Sequence, residues 1–132
     1  MMLKVLLMLT LICLVLGNNF TARIAGGQPA SVERYTYSVY LKITYKKPGD
    51  PATYNYACGA GLIYERVAIT AAHCFAGKII QTVTAVWGTS NVASIPAGKS
   101  VKVIQWVTYP NYNIETPVVD DVAVVLLEKR VS

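Results

Sequence analysis

The sequence of 132 residues is poor in long apolar runs and in clustered charge of one sign. Its main apolar run, residues 5–16, is shorter than the roughly 20 residues that a membrane-spanning helix needs, and no later segment is more apolar. Twelve Lys and Arg against seven Asp and Glu give a formal net charge of +5, but the cations are scattered along the chain. Nucleic-acid binding needs a concentrated basic stripe. We therefore predict neither a membrane nor a nucleic acid as a partner.

The first 17 residues have the composition of a secretory signal peptide. Lys4 is the only charge before the apolar run, and Val15 and Gly17 supply the small-residue pattern that a signal peptidase recognises. A membrane anchor is the alternative, but the run is too short for it. We predict a cleaved signal peptide over residues 1–17 and a secreted, extracellular mature chain.

Cysteine is also scarce. There are three cysteines, and Cys13 lies in the predicted signal peptide. In an oxidising compartment the other two, Cys58 and Cys74, allow one pairing and leave no thiol over. The alternative is two buried free thiols, which is the weaker interpretation for a secreted chain. We predict a disulfide between Cys58 and Cys74.

Helical periodicity is hard to find after Gly17, and short alternations of apolar and polar residues take its place. In the first of them Val39, Leu41 and Ile43 share one face. The segments are rich in β-branched and aromatic residues and are separated by Gly, Pro, Asn and Asp. Six strands at this spacing predict an all-β fold, either an antiparallel barrel or a sandwich. The predicted strands are residues 37–45, 52–64, 66–72, 79–88, 100–109 and 121–127.

Four short motifs follow one another along the chain. "RIAGG" occupies residues 23–27, "CGAGLI" residues 58–63, "ITAAHC" residues 69–74 and "DDVAVVLL" residues 120–127. Together they resemble Ile-Val-Gly-Gly, Cys-Gly-Gly-Ser-Leu-Ile, Thr-Ala-Ala-His-Cys and Asp-Ile-Ala-Leu-Leu of the chymotrypsin/trypsin-like serine protease family. "YPNYN", residues 109–113, is similar to the family's His-Pro-x-Tyr-Asn loop. The departures are mild: Ala25 for Val, Ala60-Gly61 for Gly-Ser, and Val122 for Ile.

The resemblance assigns roles to two side chains. His73, the only histidine of the chain, would be the general base. Asp121 would accept a hydrogen bond from its other ring nitrogen, and the apolar residues after Asp121 would bury that carboxylate. Asp120 is adjacent, but the family pattern selects the acid directly before Val-Ala. Without the motifs, each residue would more often have a purely structural role.

The family nucleophile lies in Gly-Asp-Ser-Gly-Gly, and this stretch does not occur in the sequence. The resemblance therefore implies the first, six-stranded barrel of the two-barrel protease fold, in a peptidase domain over residues 24–132 without the second barrel. We expect an amino-terminal fragment that is inactive alone. None of the serines has a comparable context; they are Ser31, Ser38, Ser90, Ser94, Ser100 and Ser132.

The function that the resemblance implies is that of a trypsin-like serine endopeptidase zymogen, a hydrolase that cleaves peptide bonds through an acyl-enzyme. Residues 18–23 would be its activation pro-segment, cleaved between Arg23 and Ile24 by an activating trypsin-like protease. The partners implied are protein or peptide substrates and protein inhibitors. The alternative is a short, non-catalytic secreted homologue that uses the barrel as a binding module.

Two smaller expectations complete the sequence analysis. Asn19 begins the glycosylation sequon Asn-Phe-Thr inside the predicted pro-segment. The loop between Trp87 and Lys99 contains no carboxylate, so we predict no metal there and no cofactor.

Overall fold

The computed structural model describes residues 27–28, 30–115 and 118–131. The predicted signal peptide (residues 1–17), the pro-segment (18–23) with Asn19, and the Arg23–Ile24 cleavage site lie outside the described residues and stay predictions. Within the described part of the chain, no helix has the length and apolar character needed to cross a membrane.

The described residues between 31 and 131 form a closed six-stranded barrel in which every neighbouring pair of strands is antiparallel. The order around the barrel is β1-β2-β3-β6-β5-β4, and β4 pairs with β1 to close it. The prediction of an all-β barrel is confirmed, and closure rules out the sandwich. The strands are β1 Ser38–Lys46, β2 Thr53–Tyr64, β3 Val67–Thr70, β4 Ile79–Trp87, β5 Ser100–Thr108 and β6 Ala123–Leu127.

Every second side chain along the strands points into the barrel and fills its interior. Val39, Leu41 and Ile43 of β1 are 4%, 0% and 0% exposed, so the predicted shared face is the core face. The same two-residue period buries Val125 and Leu127 of β6 completely. Successive side chains of a strand point to opposite faces, and the intervening residues of β1 accordingly remain partly exposed.

Two strand boundaries differ from the predicted ones by two residues, and both lie beside the motifs; the other boundaries agree to within one residue. β3 ends at Thr70 because the chain turns into a short 3₁₀ helix, Ala72–Cys74, instead of continuing extended to residue 72. β6 begins at Ala123 because residues 120–122 form a tight turn, in which Asp120 has a φ of 56°, a left-handed conformation that does not belong to a strand. The amide of Val122 donates to the carbonyl of Asp120 (2.8 Å) and tightens this turn.

Candidate active site

The topology brings the ends of two motifs to one rim of the barrel. β3 and β6 are antiparallel neighbours, and the last residue of β3, Thr70, is paired with the first residue of β6, Ala123. The residues that follow β3 and those that precede β6 therefore emerge at the same end of the barrel. His73 follows β3 and Asp121 precedes β6, so side chains 48 residues apart in sequence meet here.

The Asp121 carboxylate binds His73 twice. Its Oδ2 lies 2.8 Å from the ring Nδ1, and its Oδ1 accepts a hydrogen bond of 2.8 Å from the backbone amide of His73. One carboxylate thus fixes both the main chain and the ring of the same residue. The sequence predicted contact with Asp121 and not with Asp120, and the structure brings together the pair that was selected; their catalytic roles remain predictions.

The hydrogen bonds also define the protonation pattern of the pair. The ring hydrogen bond, and after it the His73 amide, lower the pKa of Asp121 against the opposing effect of burial. An ionised carboxylate can only accept, so Nδ1 must carry the proton that it donates. In the neutral ring the lone pair is then on Nε2. This is the arrangement that a general base requires, because Nε2 is the atom free to take a proton.

Asp121 is less buried than the sequence suggested. Its side chain is 30% exposed, so the expected burial of its carboxylate is only partial, and the His73 side chain is 56% exposed. The reason is positional: Asp121 precedes β6 at the rim, whereas the residues after it that line the interior are Ala123, Val125 and Leu127. Burial, and after it the charge of Asp121, raise the pKa of the Tyr112 phenol.

A disulfide holds the turn that carries His73. Cys58 of β2 and Cys74 are bonded as predicted, with Cα atoms 6.4 Å apart. Both cysteines are buried, at 8% and 1% exposure. The bond ties the residue next to His73 to the neighbouring strand, and this restrains the turn from its carboxyl-terminal side.

Two further contacts support the same turn, and sequence reasoning did not find them. The buried Thr70 hydroxyl donates to the carbonyl of Gly59 (2.7 Å) and so joins β3 to β2 beside the disulfide. Phe75 is buried and stacks on Trp106 of β5, with ring centroids 5.3 Å apart and planes at 8°. The threonine of "ITAAHC" was the only signal available for the first contact, and no motif indicated the second.

The site offers little to a metal ion. Within the part of the chain that the structure describes, the potential ligand atoms that cluster within 4.8 Å belong to Cys58, His73 and Cys74. Both sulfurs are committed to the disulfide, and metals bind cysteine as the thiolate. A cavity of about 760 Å³ lies elsewhere: Tyr37, Leu62 and Trp87 are among its lining residues, and neither His73 nor Asp121 is.

Comparison with known proteins gives the family. The Trypsin family model matches residues 24–132, nearly all of the chain outside the predicted signal peptide. The barrel fold and this match together establish that the chain belongs to the trypsin family of serine proteases, as the motifs predicted.

Individual relatives agree with this assignment. Granzyme M of Rattus norvegicus is 30% identical over 117 residues, which cover 88% of this chain and 41% of that protein. Trypsin theta of Drosophila erecta is 29% identical and covers 96% of this chain and 49% of its own length. The chain spans 29% to 50% of the length of the curated relatives it matches.

Solved structures show the same fold. The structure of GrC superimposes with a TM-score of 0.63 at 21% identity, over 81% of this chain and 43% of the other. The structure of HL collagenase gives a TM-score of 0.63 at 23% identity, over 79% of this chain and 41% of the other. At this identity the likeness concerns the fold alone.

Proposed function

We propose that this barrel carries the general base and its orienting acid of a trypsin-like serine endopeptidase. The observation that supports the proposal most directly is the doubly bonded His73–Asp121 pair at the barrel rim, with Nδ1 and Oδ2 2.8 Å apart. A purely structural histidine has no need of a carboxylate that orients both its amide and its ring. The His73 side chain is 56% exposed. Nε2 lies 3.9 Å from the Sγ of Cys74, and this disulfide sulfur carries no proton that it could donate to the Nε2 lone pair.

In the proposed reaction, Nε2 of His73 takes the proton of an attacking serine hydroxyl and later returns it to the leaving amine. Asp121 keeps the ring in the required tautomer and stabilises the imidazolium that forms between the two transfers. No serine of this chain has the family's nucleophile context. The nucleophile and the amides that bind the oxyanion would come from a second barrel, and the 132 residues alone would be inactive.

The remaining parts of the proposal concern secretion, activation and binding partners. The protein is a secreted zymogen with a signal peptide over residues 1–17, activated when a trypsin-like protease cleaves between Arg23 and Ile24. Its substrates are proteins or peptides, and protein inhibitors are expected partners. Amino-terminal sequencing of the activated form should begin with Ile-Ala-Gly-Gly, and a terminus that stays at Asn18 under activating conditions would count against this step.

The test of the catalytic proposal supplies the missing part. The barrel is joined in one chain to the second barrel of a related protease, treated with trypsin, and assayed for fluorophosphonate labelling and peptide hydrolysis. Asp121→Asn should lower kcat by about 10⁴-fold because it removes the oriented tautomer. Asp120→Asn is the matched control, since asparagine tolerates a left-handed φ and Asp120 is not assigned a role in catalysis.

His73→Ala should abolish turnover of the chimera. If the chimera folds and is labelled equally with and without His73, the residue is not the base. If the barrel alone hydrolyses peptides at a rate that His73→Ala removes, the assignment of the nucleophile to a second barrel is wrong. A folded chimera that is never labelled would favour the binding module over the protease.

A further inference from the structure

The backbone around His73 is held at two points by different partners. Its amide donates to Asp121, as described above. On the carboxyl-terminal side, the amides of Phe75 and Ala76 both donate to the carbonyl of Ala72. The next carbonyl along the chain, that of His73 itself, accepts a hydrogen bond of 2.7 Å from the Nζ atom of Lys78.

Lys78 is itself restrained. Its Nζ atom also donates to the carbonyl of Ala76 (3.3 Å), so the ammonium joins two carbonyls at the end of the 3₁₀ turn. The ammonium lies 5.2 Å from the ring centroid of Tyr56 and 5.8 Å from that of Tyr45. These two rings pack edge to face with centroids 5.3 Å apart. A flexible lysine side chain is thereby confined, and the entropy lost in ordering it is offset by cation–π attraction and two hydrogen bonds.

The location of Lys78 matches the electrostatics of the turn. The last carbonyls of a helical turn lack backbone partners and carry partial negative charge, which a lysine ammonium satisfies. The Lys78 side chain is partly buried, and this burial lowers the pKa of its ammonium. A charge-assisted hydrogen bond is stronger in such surroundings than at a fully hydrated surface.

We propose that Lys78 is a positioning residue for His73, because its ammonium fixes the carbonyl of the turn while Asp121 fixes the amide and the ring. The proposal rests on the proposed role of His73 as the base. Because the His73 side chain is 56% exposed, packing restrains it less than it restrains a buried side chain, and polar contacts to its ring and backbone carry more of its positioning. Asp121 supplies the contacts to the amide and the ring of His73, and Lys78 supplies the contact to its carbonyl.

The test uses the single histidine of the chain as a reporter. The full chain is expressed in a secretory host with ¹⁵N-labelled histidine, so that all imidazole signals come from His73. The quantity measured is the exchange rate of the Nδ1 proton with water, which depends on how firmly the ring is held against Asp121. Lys78→Met removes the donor and keeps the apolar stem, and Lys78→Arg keeps a charged donor.

Lys47→Met is the matched control. Lys47 also lies over a tyrosine, with its Nζ atom 4.5 Å from the ring centroid of Tyr54, but it is not part of the His73 turn. The variant therefore reports the effect of removing a lysine from an aromatic contact alone.

We expect exchange of the Nδ1 proton to be faster by about tenfold in Lys78→Met, the order expected for loss of one charge-assisted hydrogen bond. Lys78→Arg should restore most of the protection, and Lys47→Met should match the unmodified chain. Equal exchange in Lys78→Met and the unmodified chain would overturn the proposal, as would equally fast exchange in Lys47→Met. If Lys78→Met loses its dispersed amide spectrum, Lys78→Leu, which also lacks a donor, is measured and judged by the same criterion. The assay needs no turnover, so its outcome is independent of whether the chimera proves to be a protease.

Discussion

Removal of the Cys58–Cys74 disulfide tests how the barrel holds its His73 turn. The perturbation is the double variant Cys58→Ala/Cys74→Ala. Both cysteines are buried, so alanine fits the interior without leaving an unpaired polar group. The bond closes a loop of 16 residues between β2 and the end of the 3₁₀ helix, and its loss frees that loop in the unfolded chain.

The size of the effect follows from loop closure. For a separation of 16 residues the chain-entropy relation gives about 3 kcal/mol at 25 °C. Small domains unfold with a free energy of about 5–15 kcal/mol, so this is a large share of the total. In a domain near 100 residues each kcal/mol corresponds to about 4–8 °C, and the expected fall in Tm is therefore about 12–24 °C.

Urea denaturation followed by tryptophan fluorescence measures the change, with and without reductant. The unmodified chain in reductant should reach the same midpoint as the double variant, and the double variant should not respond to reductant. A loss of free energy of unfolding below about 1 kcal/mol would refute the loop-closure reasoning, because it would mean that the unfolded chain already keeps this loop closed.

Three further predictions concern the two aspartates and Thr70. Asp120→Val should lower the free energy of unfolding by about 1–2 kcal/mol in urea titration, because a β-branched residue resists a φ of 56°, whereas Asp120→Gly should be nearly neutral. The folded-state pKa of Asp121 is lowered, so its contribution to stability is present above the ordinary value of 3.8 and is lost as pH falls through the folded pKa. Asp121→Asn should accordingly flatten the acid limb of the stability profile, and an unchanged limb would contradict this. Thr70→Val should cost about 1 kcal/mol in the same titration by leaving the Gly59 carbonyl without its donor, and Thr70→Ser, which keeps the hydroxyl, should cost less.

The strands were predictable from the sequence because barrel strands carry a local signal. Alternation places Val39, Leu41 and Ile43 on one face whatever their partners are, and Gly, Pro, Asn and Asp mark the turns. The end of β3 and the start of β6 were less predictable. Both boundaries lie beside the long-range contact between His73 and Asp121, which no local pattern reveals.

The candidate site, like the fold, has features that the sequence predicted and features that it did not. The order of the motifs identified His73 and Asp121, and the number of cysteines identified the disulfide. Both predictions were possible because they depend only on which residue types occur and where they stand in the sequence. The acceptors of Thr70 and Lys78 are backbone carbonyls, and a carbonyl has the same chemistry at every position of the sequence. Only the folded chain determines which carbonyl a donor reaches, so these supporting contacts could not be found beforehand.

The double contact explains why the proposed role of His73 calls for a carboxylate, and not an amide, at position 121. Both oxygens of Asp121 accept, one from the His73 amide and one from Nδ1–H. Asparagine has one acceptor oxygen and one donor nitrogen, so it can satisfy the backbone amide only by turning its donor toward the ring. The ring would then present the Nδ1 lone pair and carry its proton on Nε2, the atom that must be free if His73 is the base proposed above. The backbone contact and the protonation state of the ring are therefore set by the same side chain, and a change that alters one of them alters both.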